Sequence, residues 1–420
     1  MKQYFPFLFL FFLAANAQEK KVLTLELEQC YRQAQEHYPL TKKRELIAQS
    51  KDYSLANISK GYLPQFGVYG QATYQSDVTK IPVSIPGITI PEVNKDQYKL
   101  YGELNQVIYD GGAIQQQKRI ETSRKAIESE KLEVELYNLK DRINNLYFGI
   151  LIVDEQLKQN ELLKSDIQTG INTVDARIKN GTALRSNADV LKAEYLKVTQ
   201  QTITLKSNKR AYLDMLGLFI NAELDSNTIL QKPETPVLAS GINRPELKLY
   251  QAMNENFELE KKTLNANNLP KLNLFIQGGV GNPALNMFSD GFDSYYIGGI
   301  RLSWPLSGFY TQKKQKAILD INKLDTQAQQ ETFLFNTTHT VRQQNAEITK
   351  LQEYLAVDSD IITLRGNVKK SAVAQLQNGV ITANDYVREV NAENESIQDK
   401  IMHETQLLLA LYKQKIITGN

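Results

Sequence analysis

The feature of this 420-residue chain that most constrains its fold is an internal repeat. Three short motifs occur twice in the same order: Tyr62–Phe66 and Asn268–Leu272, Leu104–Gly111 and Leu302–Gly308, Ala176–Gly181 and Ala374–Gly379. The last two pairs share an offset of about 198 residues, and the first pair lies within about ten residues of it. The chain is therefore predicted to contain two copies of one plan, over 18–218 and 244–420, joined by the segment 219–243.

Each copy is predicted to run as helix, strand, strand, very long helix, turn and helix. The long helices are expected at about 111–180 and 309–377. In the first of them, apolar residues alternate three and four positions apart from Leu136 to Leu157. This spacing is typical of helices that pack along a supercoiled seam. A helix of this length spans roughly 100 Å at 1.5 Å per residue, so the chain is expected to form four helical columns.

Both long helices are predicted to end at an Asn-Gly pair. These pairs are Asn180–Gly181 and Asn378–Gly379. Glycine and asparagine adopt the left-handed backbone conformation that closes a helix, and a helical pattern resumes a few residues after each pair. Each copy therefore contains a long helical hairpin whose tip lies at one of these pairs.

Four segments alternate apolar or small residues with polar ones, at about 65–76, 97–109, 271–281 and 293–305. Such alternation predicts strands with one apolar and one polar face, and their length suits a tilted strand that crosses an outer membrane. A soluble sheet with one buried face shows the same pattern. Four strands cannot close a barrel, so a sheet in a membrane has to combine strands from several copies, whose number the sequence leaves open.

The first 17 residues have the layout of a secretory signal peptide. Lys2 precedes the apolar stretch Phe5–Leu13, and the small-residue tripeptide at 15–17 precedes Gln18. The apolar stretch is about half as long as a membrane-spanning helix, so cleavage is expected rather than anchoring. The only cysteine, Cys30, does not stand at the cleavage point, which disfavours lipid attachment and excludes an internal disulfide.

Composition and motifs argue against several functional classes. The 49 Lys and Arg residues nearly balance the 47 Asp and Glu residues, and no long run of either sign suggests a nucleic-acid partner. His37, His339 and His403 lie far apart, without the spacing of a metal site. No phosphate-binding loop or nucleophile motif is recognisable. We therefore expect a protein that is not an enzyme and needs no cofactor or metal.

The local motifs resemble those of the TolC family of outer-membrane efflux and secretion channels. The most specific are Tyr62-Leu63-Pro64, Ile108–Gly112 and the segments around the two Asn-Gly pairs, and the resemblance spans essentially the whole mature chain. It implies a mostly α-helical fold with a membrane β-barrel part. Three chains would form a twelve-strand barrel in the outer membrane, continued by a twelve-helix barrel in the periplasm.

The resemblance also implies partners. A periplasmic adaptor protein would dock at the helical tips and link the duct to an inner-membrane pump, which supplies the energy, while the strands contact outer-membrane lipid. The implied function is the exit duct of a tripartite efflux or type I secretion system. An exported, oligomeric coiled-coil structural protein or adhesin without a pore remains the alternative, since it would share the signal peptide and the heptads.

The tips are the candidate site for adaptor contact and for the closed aperture. In the family, each tip carries a glycine followed by an aspartate that opens the returning helix. Gly379 and Asp385 keep the usual spacing, whereas Gly181 and Asp189 lie about two residues further apart. The first tip is therefore expected to have an enlarged turn. The candidate residues are Arg177, Asn180, Gly181, Arg185, Asp189, Asn378, Gly379, Asp385 and Arg388.

Two features of some family members are not expected at these tips. Arg388 stands where those members carry a second acid, and Ile381 aligns with an arginine that latches the closed state. An acidic, cation-binding ring and that latch are therefore not expected. Arg177 and Arg185 are candidates to pair with tip carboxylates. Asp385 and Arg388 either set the electrostatics of the aperture or act as solvated charges at a helix end.

Overall fold

The computed structural model describes residues 24–79, 82, 87, 93–289 and 291–420. The predicted signal peptide lies outside the described residues. The described part is mostly α-helical, which confirms that part of the predicted fold class. Among its helices, none is both long enough and apolar enough to cross a membrane.

The helices and strands of the described residues have the following bounds. The helices are α1 (Leu27–His37), α2 (Lys42–Ser59), α3 (Ala113–Tyr137), α4 (Leu139–Lys179), α5 (Arg185–Ile220), α6 (Pro245–Asn267), α7 (Gly308–Gln377) and α8 (Ala383–Thr418). The strands are β1 (Thr24–Leu25), β2 (Gln65–Tyr74), β3 (Asp96–Tyr109), β4 (Ile229–Leu230), β5 (Lys271–Asn282) and β6 (Asp293–Ser303).

The chain divides into two compact units. The unit that contains the helical tips comprises residues up to His37, Asp141–Val237 and Glu347–Tyr412, and we call it the tip unit. The other comprises Tyr38–Lys140, Leu238–Ala346 and Lys413–Asn420 and contains the large sheet, so we call it the sheet unit.

The sheet unit is built around four antiparallel strands in the order β2-β3-β5-β6. The register places Phe66, Leu104, Ile276 and Gly298 in one row across the sheet. Because side chains alternate along a strand, rows of apolar or small residues share one face and mostly polar rows share the other. In the described part of the chain, the edge strands β2 and β6 each pair with one strand only.

The two faces of this sheet differ in exposure. On the apolar face Phe66 is 72% exposed, Leu100 56% and Ile300 65%. Most side chains on the polar face, among them Tyr101 and Glu103, are half-buried, although no second layer of helices or strands in the described part of the chain covers them. Side chains crowd one another on the inside of a curved sheet and spread on its outside, so the polar face is the concave one.

The Asp-Gly-Gly motif after β3 forms the start of α3. The carboxylate of Asp110 accepts hydrogen bonds from the backbone N–H groups of Gly112 (2.8 Å) and Ile114 (2.7 Å), which caps the helix. Gly111 has a φ of +70°, and a Cβ atom there would lie 2.7 Å from the Cβ of Leu269. The motif is therefore explained by a helix cap and a close approach to the segment after α6.

The first long helical segment is not assigned as one helix. Asn138 separates α3 from α4, although its backbone angles are helical and its N–H group donates to the carbonyl of Val134 (3.3 Å). Asparagine is a weak helix former. The preceding Tyr137 donates its hydroxyl to the carbonyl of Ile416 (2.9 Å) and stacks under the guanidinium of Arg244. The break therefore stands beside a side chain that is held by other segments of the sheet unit.

The tip unit packs four helices around an apolar core near the tips. Residues of α4, α5, α7 and α8 contribute to it: Leu163, Ile167, Ile171, Val174, Ala188, Leu191, Val198, Ala372, Leu376, Ala383, Tyr386 and Val390. A short parallel pair, β1 with β4, lies in the same unit. The hydroxyl of Tyr147 lies 2.8 Å from the carbonyl oxygen of Leu25 and 2.6 Å from that of Gln231, so it holds this pair against α4.

Candidate functional site at the helical tips

The first tip closes α4 with a glycine-dependent turn. Gly181 has a φ of +72°, and its N–H group donates to the carbonyl of Ile178 (3.0 Å). The N–H group of Thr182 donates to the carbonyl of Arg177 (2.9 Å). This pair of hydrogen bonds is the Schellman motif, in which a left-handed residue lets the turn satisfy the last carbonyls of a helix.

The second tip repeats this turn at the end of α7. Gly379 has a φ of +76°, and its N–H group donates to the carbonyl of Leu376 (3.1 Å). The N–H group of Val380 donates to the carbonyl of Gln375 (2.8 Å). The two Asn-Gly pairs therefore have the same local structure, for the same physical reason.

The enlarged first turn that the glycine-to-aspartate spacing suggested is wrong. The turns cover 180–184 and 378–382, so both contain five residues. The two extra residues lie inside α5, which begins at Arg185, so that Asp189 stands one helical turn in from the end. The expectation failed because α5 starts after Leu184, whose side chain cannot cap a helix.

The returning helix α8 begins with a capping box. The hydroxyl of Thr382 accepts a hydrogen bond from the backbone N–H group of Asp385 (3.2 Å). In return, the carboxylate of Asp385 accepts a hydrogen bond from the backbone N–H group of Thr382 (3.1 Å). The same carboxylate also accepts a hydrogen bond from the hydroxyl of Thr382 (2.7 Å). These hydrogen bonds from Thr382, with a smaller effect of Arg388, hold the pKa of Asp385 below its usual value. Asp385 is thus a charged helix cap.

Arg388 lies next to this cap. Its side chain is 70% exposed, with Nη1 3.7 Å from Asp385 and Nε 2.9 Å from Glu389. Arg388 therefore offsets the charge of Asp385 on the tip surface. Arg185 and Asp189, at the first tip, are exposed and form no ion pair with any residue that the structure describes.

Arg177 connects the two tips of one chain. Its Nη1 donates to the carbonyl of Leu376 (2.8 Å) at the end of α7, and its Nη2 donates to the carbonyl of Thr182 (2.9 Å) in the first turn. Its guanidinium lies against Gly379, where any Cβ atom would clash with Nη2. The expected pairing of Arg177 with a tip carboxylate is therefore wrong, because main-chain oxygens take its hydrogen bonds.

A second connection joins α4, α7 and α8. Lys369 Nζ lies 2.5 Å from Asp166 Oδ2 and 2.6 Å from Glu393 Oε2. Burial lowers the pKa of Lys369, but the hydrogen bonds that its ammonium group donates to the two carboxylates outweigh this effect, so the pKa is raised. The lysine is therefore held charged between two hairpins of the tip unit.

Tyr386 fills the space between these hairpins. It is almost fully buried, its hydroxyl donates to the carbonyl of Asp166 (2.9 Å), and a Cβ atom at Gly170 would lie 2.6 Å from its ring. Burial raises the pKa of Tyr386 to about 12. Tyr386, Lys369 and Asp166 are not among the residues that the sequence predicts for this site. The spacing of Tyr386 and Val390, four apart, was a usable signal that Tyr386 belongs to the buried face of α8.

Each tip exposes one large apolar side chain among polar ones. Leu184 is 72% exposed at the first tip and Val380 is 71% exposed at the second. Each lies within three residues of the turn glycine, which has no side chain. A partner can therefore approach the main chain closely here and cover an apolar side chain at each tip.

Solved structures share this fold. The outer membrane protein VceC from Vibrio cholerae matches with a TM-score of 0.65 at 12% identity, over 93% of this chain and 96% of that chain. The CmeC outer membrane channel of Campylobacter jejuni gives 0.64 at 13% identity, over 94% and 85%. The open MtrE outer membrane channel of Neisseria gonorrhoeae gives 0.66 at 12% identity, over 94% and 89%.

No family model matches the chain, and no curated protein sequence is significantly similar to it. The likeness to the solved structures covers nearly the full length of each, at an identity of 11–13%. It shows that the chain has the fold of these outer-membrane channel proteins.

Proposed function

We propose that this chain, which has the fold of outer-membrane channel proteins, is a TolC-type exit duct of a tripartite efflux or type I secretion system. In this proposal three copies assemble. Their sheets close a twelve-strand barrel in the outer membrane, and their long helices enclose a periplasmic tunnel.

The observation that carries the proposal is the unpartnered, apolar outer face of the sheet. Phe66, Val68, Tyr296, Ile300 and Leu302 are each at least 65% exposed and lie on one face. Such a continuous apolar surface is unfavourable in water and favourable in hydrocarbon. Two open sheet edges in hydrocarbon would leave main-chain groups unpaired at several kcal/mol each, so the edges β2 and β6 require strands from other copies.

An unpartnered stripe on the helices supports assembly in a ring. Along α7 the residues Tyr354, Val357, Ile361, Leu364 and Val368 repeat three and four apart and are 42–65% exposed. On α5 of the same unit, Leu196 and Ile203 are seven apart and 64% and 63% exposed. Two different exposed seams on one chain fit a head-to-tail contact between copies, which closes into a ring when the rotation allows it.

The tips support a docking role in this duct. Leu184 and Val380 give a partner two apolar contacts, and the glycines beside them allow close packing. We propose that a periplasmic adaptor binds there and links the duct to an inner-membrane pump, which supplies the energy. The exported coiled-coil alternative explains the helical seams, but it gives no role to an apolar face on a curved sheet.

Disulfide cross-linking between the edge strands tests the assembly. In a Cys30→Ala background, Val68→Cys on β2 is combined in turn with Tyr296→Cys, Gly298→Cys and Ile300→Cys on β6. We expect one register to give covalent trimers in outer-membrane fractions, because paired strands bring Cα atoms within about 6 Å. Ile276→Cys on the inner strand β5 is the matched control. Monomers at every register would contradict the proposal.

A further inference from the structure

The concave, polar face of the sheet carries a row of tyrosine rings. The register places Tyr69 opposite Tyr101, Tyr101 opposite Gly279, and Gly279 opposite Tyr295. The rings of Tyr69 and Tyr101 are stacked, with centroids 5.4 Å apart and 27° between their planes. Neighbouring strands lie about 4.8 Å apart, so the row spans roughly 14 Å across four strands. This row is wider than a fused two-ring aromatic molecule.

A guanidinium group lies next to the tyrosine row. Arg301 Nη1 donates to Glu103 Oε1 at 3.0 Å, and Gln277 Nε2 donates to Glu103 Oε2 at 2.5 Å. The Glu103 side chain is only 11% exposed, whereas that of Arg301 is 44% exposed. Both oxygens of the carboxylate are occupied, but the guanidinium keeps further N–H donors. The accessible charge at this place is therefore positive.

The guanidinium is held in a fixed orientation. Its central carbon lies 4.4 Å from the centroid of the Phe275 ring, the geometry of a cation–π contact. With Glu103 on one side and Phe275 beneath, Arg301 loses little further freedom when it binds an anion. The arrangement is that of a preorganised anion contact.

A second cation lies on the other side of the tyrosine row. Lys99 precedes Tyr101 by two residues on β3 and therefore shares its face of the sheet. The register places Lys99 opposite Gln71 on β2 and Gly281 on β5, and Asp293 on β6 is the next residue of this row. The three rings thus lie between two cationic side chains.

We infer that this face is a contact site for aromatic anions. The ring of the solute stacks on Tyr69, Tyr101 or Tyr295, and its acidic group binds Arg301. The site is a property of the sheet itself. Its role as a contact for solutes that pass through the duct rests on the proposed function.

Ligand-observed NMR tests the site directly. The full mature oligomer in zwitterionic lipid nanodiscs is titrated with 2-naphthalenesulfonate, and empty nanodiscs correct for partition into lipid. We expect tighter binding than for methanesulfonate, which lacks the ring, and for N-methylquinolinium, which carries the opposite charge. Equal or tighter binding of the aromatic cation, or no binding above empty nanodiscs, would overturn the inference.

Variants assign the two components of binding. Arg301→Gln removes the charge and Tyr101→Leu removes a ring, and each is expected to weaken 2-naphthalenesulfonate binding about threefold to tenfold. Glu103→Gln removes the negative charge beside the guanidinium, keeps an oxygen that can accept its hydrogen bond, and is expected to tighten binding. Arg32→Gln on α1 makes the same chemical change in the tip unit and should have no effect.

Unchanged affinity in both Arg301→Gln and Tyr101→Leu would overturn the assignment. If either variant fails to assemble, binding of the three probes to the wild-type protein and to the Glu103→Gln variant still tests the inference. Channel recording separates this inference from the proposed function. Conductance without preferential binding of the aromatic anion would remove the site and leave the duct. Binding without conductance would remove the duct and leave the site.

Discussion

At the scale of single residues, the tips depend on two glycines that have the same backbone conformation in different surroundings. A Cβ atom at Gly181 would meet no heavy atom of the described residues within 4 Å, whereas one at Gly379 would meet the guanidinium of Arg177. The first glycine is therefore required by its backbone angle alone. The second is also required by the side chain that joins the tips.

These surroundings predict unequal effects of the same substitution. Gly181→Ala should lower the free energy of unfolding by about 1–2 kcal/mol, the cost of a left-handed L-residue. Gly379→Ala should cost more, because Arg177 must also leave its two carbonyl partners. Thermal unfolding of both variants, alone and with Arg177→Ala, measures the difference. If the two alanine variants are equally stable in the presence of Arg177, the bridge between the tips does not contribute.

The cap at Asp385 predicts a dependence on pH. Its folded-state pKa lies below the unfolded value of 3.8, so the ionised cap stabilises the start of α8 above that pH. The stabilisation is lost as the pH falls through the lower, folded-state value. Hydrogen exchange should therefore show that the first turn of α8 opens more readily in acid, and that Asp385→Asn removes this dependence. Identical pH profiles for the variant and the wild type would exclude the cap as the cause.

At the scale of elements, repeating patterns could be predicted and contacts between distant segments could not. Heptads and alternation are local signals, so they indicated the helices and the strands β2, β3, β5 and β6. The turn at Gly181 was located by its glycine, but its length was misjudged because Leu184 gives no capping signal. Lys369 and Asp166 are about 200 residues apart in sequence, and no local pattern shows that they meet.

The Lys369 connection predicts a loosened tip when the charge is removed. Lys369→Met leaves the carboxylates of Asp166 and Glu393 close together without a cation, at a cost of about 1–2 kcal/mol for a partly solvated site. Thermal unfolding should show the loss, and adding Glu393→Gln should restore part of it by removing one negative charge. If the free-energy costs of the Lys369→Met and Glu393→Gln substitutions simply add, the side chains are not coupled and this account is contradicted.

The exposed apolar side chains Leu184 and Val380 predict that substitutions at the tips can abolish export without abolishing conductance. Leu184→Asp and Val380→Asp together should prevent partner docking, because a charge would be buried at each contact. Single-channel conductance should remain, since both side chains are exposed on the isolated chain. Export is the second measurement, in cells that depend on the duct. Leu196→Asp on α5, in the seam proposed for contact between copies, is the control for a variant that affects assembly. Full export by the double variant would place the docking surface elsewhere.

At the scale of the whole molecule, the main feature is that a single chain leaves much of its apolar surface exposed. The sheet exposes one apolar face and two open edges, and the helices expose apolar seams on α5 and α7. The sequence indicated the class of protein because these features recur along the chain. It did not indicate the Arg177 bridge or the curvature of the sheet, which arise only when distant segments meet.

Recording from planar lipid bilayers tests the central claim most directly. The mature chain is purified from outer membranes in detergent, its oligomeric mass is determined, and the oligomer is added to the bilayer. The proposed duct predicts discrete, uniform conductance steps from a stable trimer. A soluble monomer that never inserts, or an oligomer that binds lipid without conducting, would contradict it and favour an exported coiled-coil protein.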